Sequence, residues 1–141
     1  MKKIFIIITL SLLSLSSFAY DCIDFTGEYL SDAYGGVIEE IIQESCDKRT
    51  IVVKRIGTEQ VILTFHWITD GRMQRNTSSD EVVSGEHRED HFSWSLFNQT
   101  NNTVTRAKEF KLASGDILRE MVLTDRFGNN RFVSKTLRQL R

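Results

Sequence analysis

In the stretch Val61-Ile62-Leu63-Thr64-Phe65-His66-Trp67, the side chains of Val61, Leu63, Phe65 and Trp67 fall on one face of an extended chain. Ile62, Thr64 and His66 fall on the other. Strict alternation in a β-branched and aromatic run is the signature of a strand with one buried face. The same period governs Phe92, Trp94 and Leu96 against His91, Ser93 and Ser95. It returns in Ile117, Arg119, Met121 and Leu123 against Leu118, Glu120, Val122 and Thr124. Turn signals punctuate these runs at short intervals: Gly57-Thr58, Asp70-Gly71, Ser78-Ser79-Asp80, Asn98 to Asn102, Ser114-Gly115-Asp116 and Gly128-Asn129-Asn130. Gly and Asn tolerate the positive φ that tight hairpins need, so each signal has a mechanism.

Working outward, the pattern predicts strands near 25–30, 50–56, 60–68, 72–77, 81–85, 90–97, 103–112, 117–125 and 131–139. Segment 37–46 reads equally as strand or helix, since Val37, Ile38, Ile41 and Ile42 also fit a helical face. Proline is absent, so no strand is demoted on that ground. The expected fold class is all-β: an antiparallel up-and-down meander closing into a barrel of 8–10 strands. Closure removes the open edges that such a meander otherwise presents. A two-sheet sandwich competes, but consecutive short hairpins favour the barrel.

The N-terminus reads differently. Lys2 and Lys3 precede an apolar stretch from Ile4 to Leu15, and Ser17-Phe18-Ala19 places small residues ahead of Tyr20. This is the pattern of a Sec-type signal peptide over residues 1–19, cleaved after Ala19, with a single barrel domain over 20–141. The apolar run is shorter than the roughly 20 residues of a membrane span, so no stable membrane insertion is expected. The expected location is periplasmic or secreted. In an oxidising compartment the two cysteines, Cys22 and Cys46, are expected to form a disulfide. The Lys-Lys leader and the low cysteine count look bacterial. Under that reading the formal glycosylation sequons at Asn76, Asn98 and Asn101 are polar turns.

Without the leader the chain carries 16 basic and 19 acidic residues, a balance that argues against a nucleic-acid binder. The charge is uneven. Asp21 to Asp47 holds acidic residues and no basic ones, whereas Arg119, Arg126, Arg131, Lys135, Arg138 and Arg141 crowd the C-terminus. Either the two ends are neighbouring strands with complementary charge, or they form a dipole that steers a protein partner through charged end surfaces.

No motif supports catalysis. There is no nucleophile elbow, P-loop, metalloprotease helix or dinucleotide fingerprint. His66 and Asp70 are the residues an acid–base reading would use, but no nucleophile accompanies them. In Glu86-His87-Arg88-Glu89-Asp90-His91, an extended chain sets the two imidazoles roughly 13 Å apart, too far for one ion. No catalytic residue, metal site or cofactor is assigned. A large aromatic set remains, including Phe25, Tyr29, Phe97, Phe110, Phe127 and Phe132, as core or as cavity lining.

Asp24-Phe25-Thr26-Gly27-Glu28-Tyr29 resembles the opening motif of lipocalin-like (calycin) barrels, with Tyr29 at the position of that family's Gly-x-Trp tryptophan. The resemblance implies an aromatic plug at one barrel end, packed under an Arg such as Arg131 or Arg138. It also implies a small apolar ligand. The expected function is therefore an exported, non-catalytic barrel that binds a small hydrophobic or amphipathic ligand. Alternation selects Leu63, Phe65, Trp67, Phe92, Trp94 and Met121 as its lining. The alternative is a protein–protein interaction module, an exported inhibitor or envelope assembly factor, with a filled barrel.

Overall fold

A computed structural model of the chain describes residues 22–32, 36–58, 60–76 and 79–141. The leader expected over 1–19 lies outside the described residues. Ten antiparallel strands follow one another: β1 (Gly27–Ser31), β2 (Val37–Ser45), β3 (Lys48–Arg55), β4 (Val61–Ile68), β5 (Gln74–Arg75), β6 (Glu81–His87), β7 (Phe92–Asn98), β8 (Thr103–Lys111), β9 (Ile117–Thr124) and β10 (Asn130–Gln139). Every strand pairs with its sequence neighbour except across β4 and β5, and β1 pairs with β10. The result is a meander rolled into a nearly closed barrel.

Segment 37–46 is a strand. β2 is paired on both sides, to β1 and to β3, and these long-range hydrogen bonds decide what the local pattern leaves open. The segment expected over 72–77 shrinks to the two residues of β5, because the chain turns sharply at Asp70-Gly71. That turn closes the barrel. β4 pairs along β3 up to Ile68. The chain then bends and runs beside β6 through the Asp70–Glu86 bridge and the Gly71 N–H, which donates to the Gly85 carbonyl at 2.9 Å. The buried Thr69 sits at the corner, its N–H donating to the Asp47 carbonyl at 2.9 Å and its hydroxyl to the Cys46 carbonyl.

The inward face carries the aliphatic and aromatic residues that alternation assigns to it. Tyr29, Ile41, Ile51, Trp67, Val83, Phe92, Ile117 and Leu137 form one buried cluster with Phe25, which precedes β1. At 25 cal/mol per Å² such burial is the main stabilising term of a small domain. Gly85 shows how tightly the seam is packed. A Cβ there would lie 2.6 Å from the Phe92 ring and 3.3 Å from Trp67. The expected disulfide is present between Cys22 and Cys46, and it ties the segment before β1 to the β2–β3 turn. Such a bond is compatible with a periplasmic or extracellular location.

Candidate functional site

Four charged side chains meet inside the barrel. Arg49 and Glu109 are fully buried and form an ion pair at 2.5 Å. Their strands, β3 and β8, are far apart in the sheet order, so this pair spans the interior rather than a ladder. Arg119 on β9 donates from Nε to Glu109 at 2.7 Å and grips Glu39 of β2 through both terminal nitrogens, at 3.0 and 2.6 Å. Trp94 Nε1 adds a hydrogen bond to Glu109 at 3.0 Å. Two cations thus face two anions in a low dielectric, where bidentate geometry strengthens each bond.

Burial opposes the charge on Glu109, but the adjacent Arg49 and Arg119 guanidiniums outweigh it and hold its pKa at about 2. Burial likewise pulls Arg49 down, partly offset by Glu109, while the two glutamates outweigh burial and raise Arg119. The two cations and two anions neutralise one another and brace the barrel, although Arg49 Nε and Nη1 are buried without a hydrogen-bond partner among the described residues. The acidic N-terminal and basic C-terminal segments are indeed neighbours: β1 lies beside β10, and Arg119 reaches Glu39.

The Arg49 guanidinium also stacks on Phe92 at 4.2 Å and Phe25 at 5.1 Å. His87 packs beside Phe92, with ring centroids 4.8 Å apart, and both its nitrogens are buried without a hydrogen-bond partner among the described residues. Burial first, and then Arg49, lowers the His87 pKa to about 4. His91 instead bonds Asp90 at 2.5 Å and packs on Phe110, so the two histidines have different surroundings. His66 and Asp70 are not brought together as a dyad: His66 Nδ1 lies 3.0 Å from the Thr50 hydroxyl, and Asp70 holds Arg72. The cation over Tyr29 is Lys111, with Nζ 4.9 Å from the ring centre, and it also donates to the phenol oxygen. Arg131 and Arg138, which the calycin resemblance puts there, are exposed instead. Lys111 reaches the ring because β8 ends opposite Ile117, which is itself opposite the buried Leu137.

The six lining candidates divide into two groups. Trp67 and Phe92 stack at 5.8 Å deep in the core, with Phe65 edge-on to Trp67 at 6.1 Å. Leu63, Phe65, Trp94 and Met121 are half-buried. Trp94 and Met121 also line an open concavity of about 850 Å³ against β6 to β10. Gly85, Trp94, Ala107, Met121 and Val133 form one cross-strand row along it. Phe132, Val122, Arg106, Lys108, Glu86 and Glu120 also border it, but each is the strand neighbour of a row residue and directs its side chain to the other face of the sheet.

Alternation alone finds the apolar members. The charged network escapes it, although Arg119 within the apolar face of Ile117, Met121 and Leu123 was a visible signal that an inward cation needed a partner. Comparison of the chain with protein-family models, curated proteins and solved structures finds no match.

Proposed function

We propose that this is an exported, non-catalytic binding protein that takes a small amphipathic ligand against the Trp94–Met121 row. The observation that carries the reading is the concavity of about 850 Å³ lined by the inward row of Trp94, Ala107, Met121 and Val133. Small-molecule sites typically measure about 300–1,000 Å³ and combine apolar walls with a few polar groups. An acyl or ring portion lies on the apolar row, and the polar head group faces the open mouth of the concavity. Trp67 and Phe92 then act as floor, because their stacking and the ion network beneath leave them buried. The N-terminal leader pattern and the Cys22–Cys46 bond support export, and the Gly27-x-Tyr29 resemblance supports the ligand class.

The test is titration with a fluorescent fatty-acid probe. Saturable binding with quenching of tryptophan emission is expected, weakened at least ten-fold by Met121→Glu and little changed by Phe127→Ala on a distant turn. No saturable binding, or equal binding by the Met121 variant, refutes the reading.

A further inference from the structure

The inward face of the barrel is packed at one end and open at the other. On β10 the inward residues run from buried Leu137 through half-buried Lys135 and Val133 to exposed Arg131. On β3 they run from buried Arg49 and Ile51 through half-buried Val53 to exposed Arg55. β3 and β10 run in opposite directions, so Arg55 and Arg131 share one end, that of the β3–β4 and β9–β10 turns. Register sets Arg131 on the inward side, because it ends a cross-strand row through Leu123, Thr105 and Leu96 to the buried Val83. This row lies one step nearer the open end than the row of Val133, Met121, Ala107 and Trp94, since strand positions two apart share a face.

The charge on this inward face differs from that of the chain as a whole, whose formal net charge is −1. Arg49 and Arg119 are balanced by Glu109 and Glu39. Beyond these pairs, the inward strand positions hold Arg55, Lys111, Arg131 and Lys135 against Glu81. Glu81 accepts from the Ser79 hydroxyl, and Asp125, beyond Leu123 in the same line, accepts from the amides of its own turn. Among the described residues Arg55, Arg131 and Lys135 form no ion pair. A cleft with low-dielectric walls and an excess of one sign focuses its potential and draws in ligands of the other.

We infer that the ligand is an anionic amphiphile and that Arg131, at the open rim, binds its head group. The inference rests on the site proposed above and names the chemistry that site selects. A ligand lying along Val133 and Met121 passes Arg131 where it leaves the barrel, and a guanidinium takes a carboxylate through two parallel N–H···O bonds. Lys135 lies on the other side of Val133, toward the packed end, and adds positive potential without meeting a head group at the rim. Water screens the exposed Arg131, so its contribution is that of a surface ion pair.

The test is fluorescence titration with decanoate and, separately, decan-1-ol, which match in chain length and differ in head-group charge. Wild type is expected to bind decanoate about five-fold tighter than the alcohol, the size of one exposed ion pair, and to lose most of that preference in concentrated salt. Arg131→Gln is expected to bind both ligands with the alcohol's affinity, whereas Lys135→Gln keeps a preference for the acid. Circular dichroism checks each fold, and the exposure of Arg131 keeps its substitution out of the core. Saturable binding of both ligands with equal affinity by wild type overturns this inference and leaves the proposed site standing. A preference that survives Arg131→Gln, or one that vanishes in Lys135→Gln alone, does the same. Saturable binding of neither ligand overturns both.

Discussion

Glu109 is the residue on which the interior turns, because Arg49, Arg119 and Trp94 all bond to it. Substituting Glu109→Gln leaves a buried guanidinium without its counter-ion, which typically costs about 3–5 kcal/mol. Urea unfolding followed by tryptophan fluorescence should report a loss of that size, and a loss below about 1 kcal/mol would contradict the bracing role. Acid acts on the same residues in two steps. The folded His87 takes its proton only near pH 4, whereas the unfolded chain takes it near 6.5, so stability falls as pH drops through that window. The Glu109 contribution is complete above the ordinary carboxylate range and is lost as pH falls toward about 2. Unfolding midpoints measured from pH 7 to pH 3 should decline along both limbs. His87→Leu should flatten the upper limb and spare the lower one. An unchanged upper limb would show that His87 is not the titrating group.

At the scale of elements, the seam between β4 and β6 and the tether before β1 carry the sharpest expectations. Gly85→Ala drives a methyl into the Phe92 and Trp67 rings, and overpacking of this kind costs about 1–3 kcal/mol. A variant of wild-type stability would mean that the rings move aside freely. The Cys22–Cys46 bond closes a loop with a sequence separation of 24, for which loop entropy gives about 3 kcal/mol. A Cys22→Ser/Cys46→Ser double variant should lose stability on that order, measured by the same unfolding curves. The strands of β4, β7 and β9 were legible in the sequence because each buries one face, which forces period two. β2 was not, since Val37, Ile38, Ile41 and Ile42 satisfy both periods and only pairing to β1 and β3 separates them. The expected strand over 72–77 exceeds the two residues of β5, because Asp70-Gly71 is the corner that closes the barrel rather than a turn between two full strands.

For the whole molecule, the barrel follows from alternation and hairpin spacing, whereas its contents do not. Which inward side chains touch depends on register between strands far apart in the chain. Arg49 and Glu109 are separated by 60 residues, and Arg119 and Glu39 by 80. That is why alternation groups the candidate lining as one set whereas the structure divides it, with Trp67 and Phe92 in the core and Trp94 and Met121 on the concavity. The most direct measurement is amide chemical-shift mapping of the folded protein during titration with a medium-chain fatty acid. Saturable shifts centred on Trp94, Ala107, Met121 and Val133, with little change at Trp67 and Phe92, are the expected result. Shifts centred on Trp67 and Phe92, or no saturable shift at all, would contradict the proposal.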